Sequence, residues 1–330
     1  MTDSIRWGVI GGGFIASLFA RDLALLPDAE IVAVGSSRGG GGDTFAKEFG
    51  LTSNYDSYQE VVDDPNVQVV YVATPHSGHH AAAMLAIKAG KHVLVEKPLA
   101  LNEREARELV EAARKANVFL MEAMWTNFLP HIIKIRELIA EGALGDLVAI
   151  TAEQGLWFDP AHPEHRLYDR QLGGGALLDL GVYPVSLILS LLGEPANITA
   201  VADMTSTAVD SQTTVVFQNG HGAHGIATTT LHATTANRAV IAGTKARIEI
   251  DPGWMMPSDF ELITRDGERT HFPNPLEGHG LRMEAAEVGR CIREGLTESP
   301  LMTHEFSLMV MRNLDAIRAQ IGLRYDADSA

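Results

Sequence analysis

Near its start the chain makes a junction that few folds accommodate. Ile5–Ile10 (IRWGVI) reads as a strand and runs straight into Gly11-Gly12-Gly13-Phe14-Ile15-Ala16, which opens a helix reaching about Leu26. Small residues there let the backbone turn sharply and approach an anion at the positive end of a helix. A glycine trio by itself is common in loops, so its weight comes from the texture that follows. Ile31–Val34 is a second strand, Thr44–Gly50 a short helix, Val67–Ala73 a strand, and His79–Ala89 a helix stopped by Gly90. His92–Glu96 is another strand, Asn102 caps a helix through Ala116, and Val118–Glu122 is a further strand. Strands alternating with helices predict a doubly wound parallel sheet, a dinucleotide-binding domain over residues 1–124.

After Trp125 the pattern changes. A helix spans Pro130–Glu141, a long strand starts near Leu147, and an apolar helix covers Leu177–Leu192. Ile198–Ile250 then holds four or more Thr- and Val-rich runs joined by turns such as Asn219-Gly220 and Gly243-Thr244, the pattern of antiparallel sheet. Two helices, Arg282–Glu294 and Glu305–Gln320, close the chain. Residues 125–330 therefore read as a second, α/β domain with a mainly antiparallel sheet. A length of 330 residues suits two such domains. Gly175–Gly193 is long enough to cross a bilayer, but it carries Asp179 and Pro184, and a buried core helix explains the same letters better.

Composition narrows the partners. Asp and Glu number 42 against 26 Lys and Arg, a net charge of −16, which argues against nucleic acid or an anionic membrane as a partner. Cys291 is the only cysteine and can form no internal disulfide; with no apolar leader in Met1–Trp7, a cytoplasmic location is expected.

The candidate site residues follow from these elements. At the end of the second strand an NAD-preferring site usually places an acid for the ribose 2′-hydroxyl. Here Gly35-Ser36-Ser37-Arg38 offers hydroxyls and a guanidinium instead, which suit a 2′-phosphate, so NADP is expected over NAD, although Arg38 beside Gly39–Gly42 also reads as a solvated loop residue. Thr74-Pro75-His76 and His79 sit at a strand end where such sheets bind ligands; lacking a neighbouring acid or thiolate, these histidines read as cofactor-cleft lining rather than a metal site. Glu96-Lys97-Pro98 ends an apolar strand with an acid and a base, and the proline restricts the direction of Lys97. The alternative is an ordinary strand-terminal lysine. Asp179 and Tyr183 are four apart in an apolar helix, so they share a face and imply either paired core groups or a substrate pocket. A phenol of reference pKa near ~10 can move the proton that accompanies hydride transfer if an ammonium such as Lys97 favours its ionised form.

Together GGGFIA at Gly11, TPH-x-x-H at Thr74, EKP at Glu96 and GGG-x-L-x-D-x-G-x-Y at Gly173 resemble the Gfo/Idh/MocA oxidoreductase family over nearly the whole chain. Met121–Thr126, Arg166–Asp169 and Gly173–Tyr183 are similar to its dihydrodiol- and D-xylose-oxidising, NADP-dependent branch. The resemblance implies a Rossmann first domain, Lys97 and Tyr183 as the catalytic pair with Asp179 beside them, and Trp125 and Trp254 as apolar walls for a sugar, polyol or diol substrate. It further implies that residues 125–330, built on an open, mainly antiparallel sheet, serve substrate binding and oligomerisation, with a homodimer or higher homo-oligomer formed through that sheet. Arg166 reads equally as a cofactor or substrate contact and as a solvated residue, and His279 is placed near substrate from its position before the penultimate helix. Cofactor-assisted glycoside cleavage and a ligand-sensing protein without turnover are the rival functions; the presence of both Lys97 and Tyr183 argues against the second.

Overall fold

The computed structural model describes residues 4–36 and 42–329. Two compact units account for the chain: the first runs to Trp125 and takes in Gly278–Leu308, and the second comprises Thr126–Glu277 and the residues from Met309 onward.

In the first unit, strands and helices follow the alternation read from the sequence: β1 (Ile5–Ile10), α1 (Phe14–Leu23), β2 (Ala29–Gly35), α2 (Asp43–Phe49), β3 (Ser53–Tyr55), α3 (Tyr58–Asp63), β4 (Val69–Val72), α4 (His79–Lys88), β5 (His92–Glu96), α5 (Glu103–Ala116) and β6 (Leu120–Ala123). The sheet has the order β3-β2-β1-β4-β5-β6, and every neighbouring pair is parallel. The order reverses between β1 and β4, and the crevice outside their carboxyl ends is where such sheets take ligands. Asn102 caps α5 as expected, accepting the Glu105 N–H at 2.9 Å, while Glu105 reaches back to the Leu101 N–H at 3.2 Å. β3 and α3 have no counterpart in the sequence reading. Their signal was the Ser57-x-x-Glu60 pair, in which the serine hydroxyl donates to the Glu60 carboxylate at 2.7 Å and accepts the Glu60 N–H.

The second unit continues with α6 (Pro130–Ala140), β7 (Leu147–Gly155), a π turn (Leu177–Gly181) leading into α7 (Val182–Leu192), and strands β8 (Asn197–Met204), β9 (Asp210–Gln218), β10 (His224–Thr230), β11 (Ala239–Gly243), β12 (Ala246–Ile250), β13 (Phe260–Thr264) and β14 (Arg269–Phe272). They form an eight-stranded sheet, β14-β13-β12-β11-β7-β10-β9-β8, antiparallel except for the central β7–β10 pair. α7 and the π turn lie against β7 and β10. Arg170–Leu192 is, among the described residues, the one helical stretch long and apolar enough to cross a membrane; 83% of its apolar window is buried in the protein.

The last helices are α8 (Leu281–Arg293) and α9 (His304–Ile321). The linear division at residue 124 does not foresee that residues 278–308 pack with the first unit. The reason is local: α8 lies on α1, the Leu120 N–H of β6 donates to Thr297 O at 3.1 Å, and His304 Nε2 bonds Leu120 O at 3.0 Å.

Candidate active site

In the first unit the glycine turn is built by close approach. Gly11 has φ +95°, and a Cβ there would come within 2.6 Å of Ala73 O, so only glycine allows the ends of β1 and β4 to meet. Gly13 is the opposite case: a Cβ there would meet nothing within 4 Å. Among the described residues no side chain caps α1, and its first turn holds no acid. Phe14 is exposed and Ile15 partly so. Uncapped amides at a positive helix end, with open space in front, fit a pyrophosphate. Ser36 lies at the neighbouring strand end, its N–H donating to Tyr55 O at 3.2 Å. Ser37 and Arg38 lie outside the described residues.

The histidines after β4 divide. His76 is buried, its ring 5.6 Å edge-to-face from that of His79, and Thr74 and Pro75 are partly exposed beside it. His79 has no exposed surface; Nδ1 faces Pro98 O at 2.8 Å and Nε2 faces Thr74 O at 3.0 Å. Burial, with His76 adding to it, holds its pKa down at about 3, so the ring is neutral and donates to one of the two carbonyls. The cofactor-contact reading of His79 therefore gives way to a structural one: it ties the β4 end to the Lys97–Pro98 turn, whose peptide bond is cis. No group of three or more His, Cys, Asp or Glu among the described residues is placed to hold a metal.

Lys97 leaves the end of β5 partly exposed. Glu96 before it is buried; one carboxylate oxygen accepts the Tyr71 hydroxyl and the other the Lys97 N–H at 3.1 Å. The sequence reading missed Glu122, which pairs with Val95 across β5 and β6. Its Oε1 accepts the Leu99 N–H at 3.0 Å and its Oε2 the Ser307 hydroxyl at 2.7 Å. Burial pushes its carboxyl up to about 7, although both hydrogen bonds favour the charged form. An acid inside an otherwise apolar strand was the available signal. Trp125 follows in a short 3-10 turn and is 6% exposed.

His279 lies elsewhere. Its N–H donates to Asp22 Oδ1 at 3.2 Å, and Asp22 is in the last turn of α1, at the far end of that helix from Gly13. Its substrate role is thus corrected to the start of α8, where Asp22 also accepts the Arg282 N–H at 3.3 Å.

In the second unit Asp179 lies within the π turn and Tyr183 in the first turn of α7; both are nearly buried, at 5% and 6% exposure. The π turn carries one residue more than an α-turn, so the pair is not related by the simple α-helical spacing expected. Arg166, from the 3-10 turn Arg166–Tyr168, donates to Asp179 Oδ1 at 3.1 Å while its side chain stays about half exposed. Leu167, Tyr168, Ala176, Leu180 and Leu231 form the apolar cluster behind the turn. Asp210, also missed, accepts the Leu177 N–H at 2.8 Å and the Thr213 hydroxyl at 2.7 Å; burial lifts its carboxyl to about 6. Trp254 is fully buried, its indole N–H donating to Glu153 O at 2.9 Å while its own carbonyl accepts from His131 Nε2 at 2.9 Å. It presents no surface to a substrate, and the wall expected of it is replaced by a core anchor.

Residues 5–124 match the description "Oxidoreductase family, NAD-binding Rossmann fold", and residues 132–249 match the "GFO/IDH/MocA C-terminal domain". The chain is 37% identical over 337 residues to the trans-1,2-dihydrobenzene-1,2-diol dehydrogenase of Mus musculus, with 98% of this chain and 99% of the relative covered. The Homo sapiens enzyme of the same name is 37% identical over 338 residues, at the same coverage. Among solved structures, an aldose-aldose oxidoreductase from Caulobacter crescentus complexed with glycerol superposes with a TM-score of 0.86 at 26% identity, covering 96% and 97% of the two chains. A 3-ketoreductase from Actinomadura kijaniata with NADP and TDP-benzene does so with a TM-score of 0.86 at 26% identity, covering 97% and 98%. A six-stranded parallel sheet with an open helix terminus at its switch point and a mixed sheet after it are thus shared with full-length relatives, and the chain belongs to the GFO/IDH/MocA family of oxidoreductases.

Proposed function

We propose that the protein is an NADP-dependent dehydrogenase or reductase acting on a carbinol or carbonyl carbon of an aldose, polyol or cyclic diol. The observation carrying this reading is the buried Asp179, held by Arg166 in a π turn that leads directly into Tyr183. The names of the full-length relatives and the NADP complex of the ketoreductase support it. Gly11, Gly13, Phe14 and Ile15 would hold the pyrophosphate, Thr74, Pro75 and His76 would line the cleft, and Ser36 with Ser37 and Arg38 would receive the 2′-phosphate. When bound, the nicotinamide supplies or accepts the hydride.

The chain's own residues handle the proton. The Tyr183 phenolate oxygen takes the substrate's hydroxyl proton during oxidation, and the phenol so formed gives that proton back to the substrate oxygen during reduction. The Lys97 ammonium stabilises the charge left on the tyrosine oxygen, and Glu122 positions Lys97 by holding the Leu99 N–H of the same turn. Asp179 accepts a hydrogen bond from a substrate hydroxyl, fixing which carbon faces the cofactor, while Arg166 fixes Asp179 and Trp125 bounds the ring.

A panel of aldoses, inositols and diols, each with NADP and NAD, tests the reading. Turnover should favour NADP, and Tyr183→Phe and Lys97→Met should each lose about a hundredfold or more in kcat while remaining folded. Near wild-type turnover in either variant refutes the mechanism, and a strong NAD preference refutes the 2′-phosphate assignment.

The protein is further proposed to be a cytoplasmic homodimer paired through the open face of its second sheet. There Val201 is 66% and Ile226 40% exposed, and the strand register puts Thr151, Thr199 and Val216 on the same face. Val201→Arg should shift the sedimenting species from dimer to monomer; a wild-type chain that sediments as a monomer contradicts the assignment.

A further inference from the structure

The backbone leading to Asp179 is held at nearly every polar atom, and two of its partners come from distant parts of the chain. The Gly174 N–H donates to Asp169 O at 2.9 Å and the Gly175 N–H to Leu167 O at 2.8 Å. Ala176 O accepts the Thr229 hydroxyl at 3.3 Å, and the Leu177 N–H, the first of the π turn, donates to Asp210 Oδ2 at 2.8 Å. Gly174 O accepts the Tyr325 hydroxyl at 2.5 Å. Tyr325 is 1% exposed, and its placement is secured in turn. Its N–H donates to Asp328 Oδ2 at 2.9 Å, Asp328 bonds both Arg318 NH groups at 2.6 and 3.1 Å, and the Arg318 guanidinium lies 5.1 Å from the tyrosine ring centre.

Gly175 completes the arrangement. Its φ is +118°, and a Cβ there would collide with Asp210 Oδ1. A carboxylate and a phenol, both fully buried, thus grip the 176–177 peptide and the 174–175 peptide around this glycine. Leaving either unpartnered there would be costly.

We propose that Asp210 and Tyr325 are positioning residues for the reaction, holding residues 174–177 so that the π turn persists and Asp179 keeps its direction relative to Tyr183. The physical reason is the turn's extra residue. A π turn is the less favoured form, and successive α-helical residues rotate by roughly 100°, so relaxation to regular α-helix would swing Asp179 by about that angle. Bonds at Leu177 N and Gly174 O oppose that relaxation at its origin. The Arg166 pairing depends on the same backbone, because the Gly175 N–H is bonded to Leu167, the next residue after Arg166. The C-terminal segment thereby contributes to the site without touching substrate.

The proposal rests on the reading of Asp179 and Tyr183 as reacting groups, and its test separates the two. Tyr325→Phe keeps the ring over Arg318 and removes only the hydroxyl. With trans-1,2-dihydrobenzene-1,2-diol or D-xylose as substrate, kcat should fall about tenfold to a hundredfold while the KM for NADP stays near wild type and the melting temperature drops only by the few degrees that one lost buried hydrogen bond costs. Amide exchange should quicken in the peptide spanning residues 174–183 and not across the second sheet. Asp210→Ala should behave alike, and Asp210→Asn, which keeps an acceptor for Leu177, should recover most of the loss. Turnover of Tyr325→Phe within about twofold of wild type overturns the proposal. So does a loss of turnover that tracks lost stability, with exchange spread through the whole second unit. Asp179→Ala and Tyr183→Phe are measured in parallel: if these retain turnover, or if the wild-type chain turns over neither substrate, the functional reading fails, and the exchange data alone decide whether Tyr325 and Asp210 hold the turn.

Discussion

Two glycine-rich turns open helices in this protein, one at Gly11–Gly13 and one at Gly173–Gly175, and in the sequence they look alike. In the first, the α1 amides have no side-chain cap, and a Cβ at Gly13 would meet open space. In the second, Asp210, Tyr325, Thr229, Leu167 and Asp169 take up the surrounding polar atoms. One turn leaves its helix amides open; the other is closed, four residues ahead of the Asp179 carboxylate. Glycine content marks where backbone comes close to something. Only the partners show whether that something is ligand or protein.

Matched substitutions would break this contrast if it is wrong. Gly175→Ala should have the largest effect, because it forces a methyl against a buried carboxylate at a left-handed φ; a stability loss of about 2–4 kcal/mol is expected in thermal or denaturant unfolding. Gly13→Ala should leave stability within about 0.5 kcal/mol, yet raise the NADP Kd about tenfold by placing a methyl where phosphate would approach. Should the two variants show the same signature, the distinction between an open and a closed turn fails.

A smaller effect sharpens the comparison through pH. Glu122 and Asp210 have carboxyls raised by burial to about 7 and about 6, so each holds its proton more tightly folded than unfolded. The stability they contribute is fully present below the ordinary carboxylate range near ~4 and is lost as pH rises through about 6 to 7, at about 1.4 kcal/mol for each unit of displacement. Glu122→Gln should therefore flatten the fall in melting temperature between pH 5 and pH 8. An unchanged slope would show that Glu122 does not hold its proton in the folded chain.

The alternation of strands and helices was legible because its hydrophobic periods are local, and so were the Asn102 cap and the place of Lys97 just after β5. What escaped depends on separation in sequence. Glu122 reads as one more strand residue until Ser307, 185 positions away, supplies its hydroxyl; Tyr325 reaches Gly174 across 151 positions. Trp254 and His279 were misplaced for the converse reason: an aromatic or imidazole near a motif suggests a ligand contact, whereas their bonds to Glu153 and Asp22 make them supports.

The return of residues 278–308 to the first sheet also orders events during synthesis. A nascent chain that has completed β6 has its Glu122 carboxyl and the Leu120 N–H but neither the Ser307 hydroxyl that donates to the one nor the Thr297 carbonyl that accepts from the other. The whole second sheet emerges before those partners do. The nucleotide-binding half, first to be translated, is therefore among the last parts to be finished, and in a fragment ending at residue 124 the Leu120 N–H and one Glu122 carboxylate oxygen would lack the partners they have in the whole chain.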